Sequence, residues 1–318
     1  MKPLLRALGW IFAVVATAYF LWFAFRSFRS IDLSGVSLPG VALAFVAATL
    51  LYSAIVPISA WAWERLLLDL GARARFGELF AIFAATQIAK YVPGSVAQPL
   101  GRVALSAARG YSKLSLAVSI SIETLLAALA GVASSCLLVF DDSRWNPAGQ
   151  LLHAQHSLAI GIGLLIAAVV AVWLTLPVLL RLWHRFAPGS TGAQAPRTQT
   201  LLLCFAVYVA NYVLIGFALY IVAIAISGPR IAADPAFYIG AFSLAWLVGF
   251  VAPGAPAGLG VREAVLTSIL GQVHDAGATL AIVLLLRLAT VAGDGAISAC
   301  GAWAYRRLGS IEERGVSA

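Results

Sequence analysis

Lys90, Arg102, Glu123, Arg262, Glu263, Arg287 and Asp294 lie within strongly apolar stretches of this 318-residue chain. An ionised side chain at the middle of a bilayer costs roughly 2.5 to 3.5 kcal/mol. Each of these residues must therefore face protein or water and find a partner. Arg287 and Asp294 are seven positions apart, two helical turns, and share a face. Glu123 follows Arg102 by 21 residues and Arg287 follows Arg262 by 25, a difference of about one turn. That spacing predicts that Glu123 and Arg287 face each other, either as a gating or coupling pair or as a fixed tie between helices. Lys90, Arg102 and Arg262 suit a phosphate or another anionic group, the arginines by bidentate contact. For Lys90 and Arg102 the competing reading is snorkelling to the membrane interface.

The basic residues flank two breaks. Val92-Pro93-Gly94 precedes Gly101-Arg102, and Ala252-Pro253-Gly254 precedes Gly260-Val261-Arg262, so an arginine stands nine positions after the proline in each case. The two copies are offset by 160 residues, half the chain. Proline and glycine free backbone groups that lipid cannot satisfy, so the segments at 76–109 and 236–272 read as broken or re-entrant hairpins. Gly94 and Gly254 in the breaks, with Gly258 and Gly260 before the Arg262-Glu263 pair, allow the backbone to approach a ligand or neighbour closely. Helix ends at such breaks present unpaired N–H groups to anions.

The elements that position these residues are membrane helices. Hydrophobic residues form 62% of the chain and charged ones 11%, more apolar surface than a soluble core can bury. Taking about 20 apolar residues per crossing, spans are predicted at 7–25, 40–62, 114–140, 157–180, 200–226 and 277–304. The first is too long for a signal-peptide core and is read as a retained helix. This map puts both termini on one side. It leaves only Arg26, Arg29, Arg144, Arg230 and Arg262 opposite them, against fourteen Lys or Arg on the terminal side, which is therefore cytoplasmic. The net charge of +8 thus reflects topology and not a nucleic-acid surface. The expected fold is an all-α polytopic membrane protein forming one transmembrane domain over 1–318. It comprises about six spanning helices plus the two broken hairpins, or about eight membrane segments. Pseudo-repeat 1 covers about 1–150 and pseudo-repeat 2 about 157–310. Three crossings per copy invert the second relative to the first, a design found in transporters.

Other chemistry is poorly represented. Gln87, Gln98 and Asn211 could line a polar path or simply bond neighbouring helices. His153 and His156 with Asp141 and Asp142 make a weak metal pattern in a loop, and no metal or cofactor is expected. Cys136, Cys204 and Cys300 are odd in number and lie in apolar stretches, against a disulfide framework. No phosphate loop, serine elbow or complete dinucleotide fingerprint occurs. The tryptophans fall mostly near span ends, as an aromatic belt.

Lys90-Tyr91-Val92-Pro93-Gly94 with Gly101-Arg102, then Glu123, then Pro253-Gly254 with Gly258-Leu259-Gly260-Val261-Arg262-Glu263, and finally Arg287 with Gly293, resemble the flippase-like family. This family is the transmembrane region of lysylphosphatidylglycerol synthases, also found alone. The likeness runs from about 10 to 305. It implies a role in moving lipids between leaflets, such as aminoacylated phosphatidylglycerol, lipid-linked sugars or hopanoids. The fused synthase domain is absent from this sequence, so aminoacyl transfer is not expected, and Gln98-Pro99 stands where many relatives carry an apolar, aromatic-rich stretch. The expected activity is movement of an anionic phospholipid or lipid-linked headgroup across the bacterial or archaeal cytoplasmic membrane, without enzymatic chemistry. Lys90, Arg102, Arg262 and the four glycines would bind it, while Glu123, Glu263, Arg287 and Asp294 gate or couple. The alternatives are a membrane-embedded transferase using Glu123 or Glu263 as base, and an accessory subunit in envelope glycan or lipid biosynthesis. Expected partners are membrane lipids and a lipid-modifying or glycosyltransferase enzyme.

Overall fold

The computed structural model describes Trp22, Phe25 and residues 37–91, 97–140, 196–229, 234–252 and 258–316. Apart from Trp22 and Phe25, the spans expected at 7–25 and 157–180 lie outside these residues, as do Pro93, Gly94, Pro253, Gly254 and the Asp141–His156 loop. Everything regular among the described residues is helical.

Helix α1 (Leu38–Asp69) starts where Ser37 accepts a hydrogen bond from the Gly40 N–H and Pro39 occupies the first turn. It leads to α2 (Phe76–Ala85), a 3₁₀ turn over Gln87–Tyr91, α3 (Ala97–Ala107) and α4 (Lys113–Ser135), with a single turn, α5 (Leu137–Phe140), at its end. Ser112 caps α4 by accepting from the Ser115 N–H. The same succession then recurs: long α6 (Thr198–Ser227), α7 (Pro235–Val251), short α8 (Val261–Leu270) and long α9 (Ala276–Val316). Asp234 and Pro235 start α7 as Ser37 and Pro39 start α1.

Among the described residues, four helices are long and apolar enough to cross a membrane: Leu38–Asp69, Lys113–Ser135, Thr198–Ser227 and Ala276–Leu308. They are apolar on their outward sides too. Leu43, Val46 and Leu50 on α1, Leu202 and Phe217 on α6 and Leu288 on α9 are all exposed, which only lipid tolerates at this density. By contrast, the broken segments divide into shorter pieces. A ten-residue helix such as α2 or α8 spans only about 15 Å, half of a bilayer core.

The chain's two halves are interleaved. The principal contact is α1 on α6, but α4 packs chiefly on α6 and α7, whereas α9 packs chiefly on α2 and α1. Each closing helix thus covers the opposite half. Glycine permits the tightest of these approaches: a side chain at Gly301 would collide with Ala84 and the Ala85 backbone on α2, and one at Gly293 would meet Tyr52 and Ser53 on α1, both at 2.9 Å. One apolar cluster joins α1, α4, α6, α7, α8 and α9, and a second, around Trp63, Leu67, Leu79, Ile82 and Leu116, fills the space between α1, α2 and α4.

Candidate functional site: a charged cavity between the broken segments

A cavity of about 400 Å³ opens where the two broken segments come together. First-half residues on its wall include Tyr52, Gln87, Lys90, Gln98, Arg102 and Glu123; second-half residues include Asn211, Trp246, Gly258, Arg262 and Arg287. Three ion pairs and one further arginine define its electrostatics.

Arg102 on α3 grips Glu123 on α4 with two N–H···O bonds, 3.0 and 2.6 Å, in the fork geometry that makes Arg–carboxylate pairs strong. Its guanidinium is sandwiched between the rings of Trp63 and Phe83, 4.0 and 4.1 Å from the centroids. Both charges are buried. Lys90, in the 3₁₀ turn, reaches α9 and donates to Asp294 Oδ1 at 2.7 Å. Asp294 is fully buried and also accepts from the hydroxyls of Tyr52 (3.0 Å) and Tyr91 (2.7 Å). Three donors from two elements therefore hold one carboxylate. The third pair is looser: Arg287 Nη1 lies 3.3 Å from Glu263 Oε1.

Glu263 has a second task. Its Oε2 accepts the Gly260 N–H at 2.8 Å, so the helix supplies its own anion at the start of α8. Sequence reasoning expected unpaired N–H groups at these breaks; at Gly260 the donor is already taken. Gly258 and Gly260 have φ of +71° and +78°, conformations open to glycine at no cost. Gly258 packs against Gly249 on α7, and Arg262 folds over it, with Nε and Nη2 only 3.6 Å from where a Cβ at Gly258 would stand. Arg262 has no ion-pair partner among the described residues; its Nε is buried without an acceptor, and its guanidinium faces the Phe242 ring at 5.7 Å.

The geometry revises several expectations. Glu123 and Arg287 line the same cavity but do not pair with each other. Glu123 belongs to Arg102 and Arg287 to Glu263, because each broken segment brings its own charge to a nearer partner. Lys90 and Arg102 do not reach outward as snorkelling requires: each ends on a carboxylate inside the protein, Asp294 and Glu123. Arg287 and Asp294 do share a face, since both touch Tyr91. Gln98 donates to Gln87 at 3.1 Å and Asn211 to Ser59 at 2.9 Å; the three amides, read from the sequence as candidates for a polar path, all line the cavity, and Ser59 was not foreseen. Sequence reading missed Tyr52, Trp63, Tyr91 and Trp246. Trp63 is no interfacial anchor but fully buried, with its N–H donating to Ser119. It stands one residue past the predicted 40–62 span, which made it read as an anchor, whereas the helix runs on to Asp69. Gly94 and Gly254, and the His153/His156 pattern, lie outside the described residues.

Two polar clusters lie at the ends of the helices. Near the start of α4, Tyr111 donates to Glu78, and burial together with that carboxylate pushes the phenol up to about 12. In the turn between α8 and α9, His274 is buried between Ser227 (2.9 Å) and the Tyr238 hydroxyl (2.8 Å), and burial lowers its pKa.

These features define a multi-pass membrane protein with an internal, ion-paired polar cavity. The family model for the lysylphosphatidylglycerol synthase transmembrane region matches residues 10–297, and the chain belongs to that family of membrane domains, associated with envelope lipid biosynthesis or flipping. No curated protein matches the chain.

Proposed function

We propose that the chain is a flippase-like transporter, which passes an anionic phospholipid or lipid-linked headgroup between the leaflets of the cytoplasmic membrane with both termini cytoplasmic. The observation that supports this most directly is the polar cavity between two broken apolar segments, holding Arg262 without a carboxylate partner among the described residues. A buried cation without an anion is costly, and a ligand phosphate supplies what is missing. Lys90 and Arg102 act on the ligand less directly. They fix the wall, since each is already neutralised.

In this reading the two halves form an inverted repeat, supported by the recurring succession of long, short, broken, short and long elements. The moving bodies differ from the sequence halves, because α9 is fastened to α1, α2 and the 3₁₀ turn, while α4 belongs with α6 and α7. Rocking of one group against the other leaves Lys90–Asp294 intact and strains the single Arg287–Glu263 contact between α8 and α9. That contact is the gate. The headgroup passes along Arg262 while its hydrocarbon chains stay in lipid, and a lipid-modifying enzyme supplies or consumes it. Each described carboxylate in the cavity is committed to a cation, which argues for transport without covalent chemistry.

Reconstitution in vesicles carrying a labelled anionic lipid tests the proposal. Translocation above protein-free vesicles, lost in Arg262→Gln and partly kept in Arg262→Lys, is the expected result. No translocation of any anionic or sugar-linked lipid refutes it.

A further inference from the structure

The cavity's charges can be summed. Lys90, Arg102, Arg262 and Arg287 line the cavity with four positive charges; Glu123 on the wall, with Glu263 and Asp294 as the ion-pair partners of Arg287 and Lys90, bring three negative ones. The two breaks between the described helices, residues 92–96 and 253–257, contain no ionisable side chain. Among the described residues, therefore, the cavity is one positive charge in excess, and that charge resides on Arg262.

From this we infer that the headgroup is a phosphodiester monoanion whose other polar groups are neutral hydroxyls, as in a glycerol or sugar phosphodiester. The inference rests on the transport reading in so far as the cavity receives a headgroup. A monoanion brings the cavity to neutrality. A pyrophosphate leaves at least one negative charge uncompensated in a site walled by helices, where such charges are costly. An amine-bearing headgroup fails for the opposite reason. Its phosphate can meet Arg262, but its ammonium then needs a carboxylate, and none of those paired with the cavity's cations is open among the described residues. Asp294 already accepts from Lys90, Tyr52 and Tyr91. Both Glu123 oxygens are held by Arg102, and those of Glu263 by Arg287 and the Gly260 N–H.

Neutral hydroxyls, in contrast, have a partner waiting. Asn211 is buried, spends its amide N–H on Ser59 and leaves its oxygen without a donor. Beside it, Trp246 stacks on Phe250 with centroids 5.0 Å apart and planes 5° from parallel, and Tyr212 meets Trp246 edge-on at 5.6 Å. This is an aromatic wall suited to the C–H faces of a glycerol or sugar while Asn211 takes an O–H.

Binding to the purified full chain, followed by tryptophan fluorescence, decides the matter with four probes. These are short-chain phosphatidylglycerol, short-chain phosphatidylethanolamine, a short-prenyl sugar monophosphate and the corresponding sugar pyrophosphate. The two monoanions are expected to bind roughly tenfold tighter than the other two, a difference of one charged hydrogen bond. Whichever monoanion binds tighter identifies the source, phospholipid or prenyl lipid. Asn211→Asp cancels the excess charge and should reverse the order of phosphatidylglycerol and phosphatidylethanolamine; the wild-type order decides alone if that variant does not fold. Equal or tighter binding of the pyrophosphate or the amine overturns the inference while leaving anionic lipid transport standing. Selective binding without translocation in vesicles removes the transport reading and keeps the selectivity. Binding of none of the four overturns both.

Discussion

Removing Glu123 should do more damage than removing the whole Arg102–Glu123 pair. Glu123→Gln leaves a guanidinium that is 4% exposed and cannot lose its proton, between two aromatic rings and without a counter-charge. Loss of one partner of a buried pair costs about 3 to 5 kcal/mol. Attraction to Trp63 and Phe83 returns up to about 2 kcal/mol, but it exists in the wild type as well and so does not offset the loss. In a chain of this size the change in Tm is on the order of 10 °C. Arg102→Met/Glu123→Leu, which fills the same space with apolar atoms, should recover most of that deficit. The chain supplies its own reporter. Cys136 and Cys204 are buried and Cys300 is exposed, so a Cys300→Ser background treated with a thiol-reactive dye fluoresces only as the helices separate. If Glu123→Gln melts within about 1 °C of the parent, or the double variant melts lower than the single, the pair is not the buried, mutually dependent unit described here.

Other expectations follow from single contacts. Gly301→Val should destabilise by about 1 to 3 kcal/mol through overpacking, whereas Gly295→Ala, with nothing within 4 Å of the new Cβ, should be neutral or slightly stabilising; the same dye assay compares them. Because burial lowers the His274 pKa, the unfolded chain binds the proton more readily. Stability should then be constant above the ordinary histidine value of about 6.5 and fall as pH drops below it, levelling off beneath the folded-state value. A His274→Gln variant should show a flatter Tm profile between pH 8 and 5, and an unchanged slope would refute the assignment. Asp294→Asn leaves Lys90 facing two phenols and an amide. It should lower Tm by several degrees, and Lys90→Met in the same chain should restore part of the loss.

Helices were legible because lipid demands them: unbroken apolar runs have one structural outcome in a bilayer, and the predicted spans at 40–62, 114–140, 200–226 and 277–304 each fall within a described helix or overlap most of it. The short helices at 76–109 and 236–272 fit the complementary expectation, that proline and glycine interrupt what lipid requires. Partner choice was not legible. Spacing along helices placed Glu123 and Arg287 within a turn of equivalent positions, but which charges meet depends on how the short segments turn back, and periodicity carries no information on that. Tyr52 and Trp63 escaped notice because an aromatic in a membrane span resembles any other until a buried guanidinium or carboxylate is seen against it. Gly258 and Gly260 were readable from sequence, since two glycines before an ion-bearing helix have few other uses.

The covering of each half by the other's closing helix also has a consequence for biogenesis. Lys90 is made 204 residues before Asp294, and α2 rests on α9, the most C-terminal of the described helices. During insertion, then, the first broken segment waits in the bilayer with an unanswered ammonium and an uncovered face. Its completion depends on α9 threading back beside it. Chains released before α9 therefore lack more than one crossing: they expose a charged, incompletely packed segment of the kind that membrane quality control recognises and removes.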